Sequence, residues 1–201
     1  MSSPPRTLRA DAARNREALL AAAEEEFAER GLAASVADIA RRAGVAKGTV
    51  FRHFASKEDL IASIVVEHFG ALTSAARELA DAEDPEAALL HFLTVVADGR
   101  RQHDLTFLQS ASRDDERVAA VGDELFAGLD RLVGRAREAG VLREDVTTND
   151  VFLLMCAPVH VVENLADPEP DLWRRYLGII FDGLRPAGAS PLPRPAPTTR
   201  C

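Results

Sequence analysis

The chain has 201 residues, 47% of them hydrophobic and 28% charged, which is enough apolar material for a packed core and too much for wholesale disorder. A formal net charge of −8 excludes a uniformly basic nucleic-acid coat, while leaving room for a local basic surface. Two cysteines, Cys156 in an apolar run and Cys201, exclude a disulfide framework or a paired CxxC zinc site. Residues 1–10 lack the apolar stretch of a secretory signal. The longest apolar run, 151–162, has 12 residues against the roughly 20 that cross a bilayer. The expectation is a soluble, cytoplasmic protein with no membrane partner.

Helical spacing recurs along the chain, without sustained strand alternation. Residues 1–12 read as a flexible arm. Leu20, Ala23 and Phe27 then recur at three- and four-residue steps, and Gly31 ends the run. Ser35 stands as an N-cap before Val36, Ile39, Ala40 and Ala43, and Gly44 stops that short helix. A third helix covers about 47–54. Ser56 with Asp59 resembles a capping box for a long fourth helix, whose stripe is Ile61, Ile64, Val65, His68, Leu72, Ala75, Ala76 and Leu79. Asp84-Pro85-Glu86 combines a capping carboxylate, a first-turn proline and a first-turn acid. Leu89, Phe92, Leu93 and Val96 form the buried face there, with Gly99 as the expected end. A short segment over 105–111 follows. Val118, Val121, Leu125, Leu129, Leu132 and Ala136 mark the next long helix, closing at Gly140. Thr147 with Asp150 opens an apolar run in which Pro158 predicts a kink or break. The last helix spans about 169–184, with Trp173, Tyr176, Leu177, Ile180, Phe181 and Leu184 on one side. Prolines at 186, 191, 193, 195 and 197 make 186–201 a disordered or polyproline tail. The expected fold is all-α with about nine helices, a three-helix head over 13–60 and a larger bundle over 61–185.

Residues 35–57 read SVADIARRAGVAKGTVFRHFASK. Two short helices meet at Gly44-Val45-Ala46, a link as tight as a helix-turn-helix corner requires, and glycine permits the left-handed backbone of such a turn. An ordinary helical hairpin would show the same spacing, so charge decides. Between positions 41 and 57 stand five basic residues, Arg41, Arg42, Lys47, Arg52 and Lys57, and no acid. Residues 1–60 hold ten basic and nine acidic side chains, whereas the remainder holds 14 and 23. The acidity therefore belongs to the rest of the chain, and the acid-free corner suits a phosphate-lined groove.

These residues carry a resemblance to TetR-type transcriptional regulators. Over about 15–64 the matches are Ala22-Ala23 with Phe27 and Gly31, Ile39-Ala40, Ala43-Gly44-Val45, Gly48-Thr49-Val50-Phe51, His53-Phe54, Ser56-Lys57-Glu58 and Leu60, in fixed order and spacing. The resemblance implies a homodimer with a helical DNA-binding head and a helical ligand-binding body. It implies that 47–53 is the recognition helix, with Lys47 and Thr49 reading base edges. Ser35, Arg42, Phe51, Arg52, His53 and Lys57 would lie at the DNA backbone. Two positions depart from the family pattern. Phe51 replaces the usual Tyr and removes a hydroxyl from the phosphate contact. Ala46 replaces a frequent Ser and removes a helix cap worth about 1 kcal/mol.

Other clusters carry less. Cys156, His160 and Glu163 share helical spacing, and with His103 would make a metal site. A buried thiol and a core histidine in an apolar helix explain them better, so no metal is expected. No G-x-S-x-G, P-loop, G-x-G-x-x-G or H-E-x-x-H pattern occurs, and adjacent His103 and Asp104 do not face each other, so no catalytic residue or cofactor is expected. Phe92, His103, Phe107, Leu108, Phe126, Met155 and His160 are the residues expected to line an effector pocket, with plain core as the competing reading for each. The two C-terminal helices are expected to pair with their copies, so that two recognition helices meet a palindromic operator. The resulting expectation is a repressor released by a small molecule. An activator, a ligand-independent regulator, or a helical enzyme with a vestigial head are the alternatives.

Overall fold

The computed structural model describes residues 5–102, 106–163, 165–167 and 169–197, with side chains for all of these except 5–13, 101, 102, 106 and 163. Among them are ten α-helices, one 3-10 turn and no strand. The helices are α1 (Pro5–Arg30), α2 (Val36–Arg42), α3 (Lys47–His53), α4 (Lys57–Leu79), α5 (Pro85–Gln102), α6 (Thr106–Ala111), α7 (Glu116–Glu138), α8 (Thr148–Leu154), α9 (Ala157–Glu163) and α10 (Leu172–Gly183). The all-α architecture is as the periodicity predicts. The break expected near Pro158 divides one apolar run into α8 and α9, with the proline in the first turn of α9, where no helical hydrogen bond is lost.

Helix ends follow local chemistry. Ser35 and Thr147 each form a full capping box, with Asp38 and Asp150 respectively returning the bond to the cap. At Ser56 only half of the box forms: Ser56 Oγ accepts from Asp59 N–H at 3.1 Å, whereas Asp59 turns to the N–H of Ala55 at 2.8 Å. Asp84 Oδ1 accepts from Glu86 and Ala87 N–H at 2.9 and 3.0 Å, which secures the start of α5. The last helix starts at Leu172, three residues later than the sequence reading, and two further boundaries differ from it. The first helix starts at Pro5, inside the stretch read as an arm, because 6–18 is rich in Ala and Arg, which favour helix without forming an apolar stripe. The fifth runs through Gly99 to Gln102, since a single interior glycine costs a helix only about 1 kcal/mol.

The chain forms two compact units, residues 1–68 with 103–119, and residues 69–102 with 120–201. In the first, Leu19, Leu20, Ala23 and Phe27 of α1 pack with Ile39, Ala40, Val50 and Phe54, and with Leu60, Ile61, Ile64 and Val65 of α4, all at most 4% exposed. Arg117 at the start of α7 is tied into this unit by Asp59 and Asp115, both 2.8 Å from its Nη2. By length and composition α4 is the single described helix apolar enough to cross a bilayer; Leu60, Ile61, Ile64, Val65 and Ala76 on it are buried in core.

His68 Nε2 lies 3.1 Å from Glu24 Oε1 in the same unit. That bond, aided by the charges of Glu24 and Glu67 and opposed by burial, holds the imidazole above its ordinary value of 6.5. The folded state therefore favours the protonated form, a contribution complete below pH 6.5 and lost as pH rises through the raised folded value. Thermal unfolding of His68→Gln should fall further below wild type at about pH 5.5 than at about pH 8.5. An equal gap at both would remove the pair from the stability of this unit.

The second unit buries Leu89, Phe92, Leu93 and Val96 of α5 against Leu125, Leu129 and Leu132 of α7, Val151 and Met155, and Trp173, Leu177 and Phe181 of α10. Its α4 and α7 segments approach closely where Gly128 faces Ala76. A Cβ built on Gly128 would stand 2.9 Å from that of Ala76, closer than packed carbons allow. Gly128→Val should cost about 1–3 kcal/mol in urea unfolding, partly recovered by Ala76→Gly. Arg135 closes the end of α4 by donating to the carbonyls of Ala80 and Ala82, each at 2.6 Å.

Candidate nucleic-acid interface

The corner between α2 and α3 is built from the backbone outward. Val45 N–H reaches Ala40 O at 2.9 Å and Gly44 N–H reaches Arg41 O at 3.1 Å, the paired bonds of a Schellman stop, with Gly44 at φ +68°. This ends α2 abruptly and lets α3 begin three residues later. At that start Ala46 supplies no side-chain cap. Along α3 only Val50 is buried, pinned under the corner, while Lys47, Gly48, Phe51 and Arg52 are exposed and Thr49 and His53 half-buried. The helix thus presents nearly all of its surface outward, with Phe51 45% exposed beneath Lys47, whose Nζ lies 5.8 Å from the ring centroid.

The five basic residues of the corner have different surroundings. Arg41 pairs with Asp38. Arg42 extends to α1, where Nε meets Glu26 Oε1 at 2.9 Å, Nη1 meets Glu25 at 3.0 Å and Nη2 meets Glu29 at 2.5 Å. These bonds stabilise the guanidinium further in its charged form, and the one from Arg42 holds the Glu29 carboxyl below its ordinary value. Lys57 Nζ donates to Leu32 O at 2.5 Å and stands 5.7 Å over the ring of Phe27. Lys47 and Arg52 have no carboxylate partner among the described residues; Arg52 donates to Thr49 Oγ1 at 3.0 Å, one turn back. The freest positive charge at the corner is therefore on α3 itself, beside Thr49. Ser35 Oγ sits in its capping box at the start of α2, and His53 stacks at a tilt on Phe54.

The glutamates that hold Arg42 are the functional neighbourhood that sequence reasoning missed. A signal existed: Glu26 falls in the stripe Leu19, Ala22, Ala23, Phe27 of α1, and a carboxylate in such a stripe needs a cationic partner. Its side chain is 4% exposed.

The residues expected to line an effector pocket are dispersed. Phe92 and Met155 lie in the core of the second unit, where Phe126 is half-buried and tilted on Phe152 at 6.0 Å. His160 is exposed on α9, its Nδ1 3.2 Å from Arg100 Nη2. Phe107 and Leu108 belong to the first unit, and His103 lies outside the described residues. The second unit has a cleft of about 460 Å³ between α8 and α10, lined by other residues, Leu153, Ile179 and Leu184 among them. Cys156 precedes α9 and is half-buried, its carbonyl accepting from His160 N–H at 3.4 Å; the side chain of Glu163 lies outside those described.

Residues 19–64 match the family described as bacterial regulatory proteins, tetR family, and residues 84–186 match the SbtR-like transcriptional regulator C-terminal domain. The chain is 30% identical over 202 residues to the HTH-type transcriptional repressor KstR2 of Rhodococcus jostii, covering 92% of this chain and 98% of that protein. Over 61 residues, 30% of this chain, it is 43% identical to the HTH-type transcriptional activator FasR of Mycolicibacterium smegmatis. The crystal structure of a TetR regulatory protein from Mycobacterium vanbaalenii superposes with a TM-score of 0.63 at 33% identity, over 89% of this chain and 99% of that one. With an exposed basic helix after the helix-turn-helix corner and likeness extending over both domains, the chain belongs to the TetR family of DNA-binding transcriptional regulators, and is not an enzyme.

Proposed function

We propose that the protein is a repressor that binds a palindromic operator as a homodimer, joined through its two C-terminal helices, and leaves it when a small-molecule effector binds. The observation that carries this reading is α3, whose Lys47, Thr49 and Arg52 are grouped outside the carboxylate network that holds Arg42. A helix of this length, inserted in the major groove, directs its N-terminal residues at base edges. Lys47 and Thr49 are the readers, and Arg52, His53, Phe51, Ser35, Arg42 and Lys57 line the DNA backbone. Repression is favoured over activation because the relative alike over nearly its whole length is named a repressor, whereas likeness to the activator covers only the head.

The effector acts on the second unit, and α4 supplies the covalent route to the head, since its residues up to His68 belong to one unit and those from Phe69 to the other. The working compartment is the cytoplasm. Selection of bound sequences from random duplex DNA, at a stated salt concentration, tests the reading. Recovery of a palindrome is the expected result. Enrichment of a single asymmetric site would contradict the twofold arrangement, and no enrichment by folded protein would refute sequence-specific regulation altogether.

A further inference from the structure

Two large apolar side chains of the first unit stand in solvent among the described residues, Leu32 on the 3-10 turn and Phe51 on α3, at 47% and 45% exposure. The buried side of α3 is Val50, so the core does not account for an aromatic ring at 51. What the ring meets is Lys47, one turn earlier on the same face of the helix, whose Nζ stands 5.8 Å from the ring centroid. The negative face of the ring attracts the ammonium. A lysine is otherwise a long, flexible side chain with many rotamers to lose on contact, and no carboxylate among the described residues holds Lys47. The ring therefore lowers the ordering cost of any contact that Lys47 makes.

The outward side chains of α3 are also alike in kind. Lys47 carries three donors and no acceptor. Arg52 is donor-only too, and one of its N–H groups meets Thr49 Oγ1 at 3.0 Å, which leaves the Thr49 O–H to donate. No carboxylate or amide side chain occurs over 47–53. Such a face matches a base edge made of acceptors. In the major groove guanine offers two side by side, N7 and O6, whereas adenine and cytosine each present an amino donor and thymine sets a methyl beside its one acceptor. We propose that Lys47 reads a guanine in each half-site, and that Phe51, beyond its place beside the DNA backbone, is the residue that positions Lys47 for it. This rests on the reading of α3 as the recognition helix.

Selection from random duplex DNA with the full chain and its variants, followed by binding to point variants of the recovered site, tests this. Wild type should enrich a guanine at the position whose preference Lys47→Ala abolishes. Phe51→Leu, which keeps apolar bulk and removes the aromatic face, should relax that guanine preference by about two- to fivefold, with the loss confined to that position. Phe51→Tyr, which keeps the face, should restore it. In the Lys47→Ala background Phe51→Leu should relax that position no further. Each preference is a ratio of affinities within one sample, so it does not depend on the folded fraction. A Phe51→Leu protein that keeps the full guanine preference, or weakens on all sequences alike, overturns the positioning role and leaves Phe51 as a backbone contact. A base other than guanine at the Lys47 position overturns the base assignment. Absence of any enrichment by folded wild type would instead refute the regulator reading on which this proposal rests.

Discussion

Arg42→Ala should destabilise the first unit by about 3–5 kcal/mol, measured by denaturant unfolding. The cost arises less from the lost bonds than from what they leave behind. Glu26 is 4% exposed, and its Oε2 has only Arg30 Nε, at 3.4 Å and without hydrogen-bond geometry, besides the Arg42 contact to Oε1. Without the guanidinium, a buried carboxylate remains next to Glu25 and Glu29, with only the longer contact from Arg30 to offset its lost hydration. Glu26→Leu should be much milder, because it removes the buried charge and leaves Arg42 with Glu25 and Glu29 near the surface. In the Arg42→Ala background Glu26→Leu should recover most of the loss, giving a coupling energy of about 2 kcal/mol or more in the double-mutant cycle. A loss under about 1 kcal/mol for Arg42→Ala would mean that water reaches Glu26 and that the network is a surface feature. The same network bears on recognition. With its fork already held by three carboxylates, Arg42 at the DNA backbone would have to share its donors between phosphate and glutamate, so its contribution there should be smaller than that of Arg52.

Lys47→Ala and Thr49→Ala should each weaken specific binding by about 1–3 kcal/mol and relax the base preference at one operator position, in each half-site. On the proposed reading, their position on the first turns of α3 would put them deepest in a major groove, and neither side chain is tied to a carboxylate among the described residues. Arg52→Ala should instead weaken binding to all sequences and lower the salt slope by about one. Quantitative binding to the selected operator and to point variants of it, at several salt concentrations, separates the two behaviours. Unchanged base preference in both Lys47→Ala and Thr49→Ala would remove them as readers. Thr49 also accepts from Arg52 Nη2, so Thr49→Ala should release Arg52 and leave a small non-specific change on top of the specific one.

Much of the fold was legible because helix punctuation is local. Ser35 with Asp38, Thr147 with Asp150, and Asp84 with Pro85 act over two to four residues, and so does the glycine at φ +68° that closes α2. Such signals do not depend on what packs nearby. The order of residues at the corner, with its run of basic side chains, was likewise enough to name the family. Spacing, however, reports which face of a helix is apolar and not what lies against it. Arg42 meets glutamates 13 to 17 residues earlier in the chain, and only the packing of α2 on α1 sets the expected phosphate contact within a network of ion pairs. Phe107 and Leu108 resemble the lining of a pocket as much as Phe92 does, yet they fall in a different compact unit. The tail reads as disordered or polyproline because its partners, Asp145 and Asn149, stand 47 and 48 residues away and carry no local mark. Family and most helix boundaries were thus determined by the sequence itself, through interactions that close within one or two turns. The surroundings of each charge and the composition of each apolar face were decided by tertiary structure, because they depend on contacts between segments far apart in the chain.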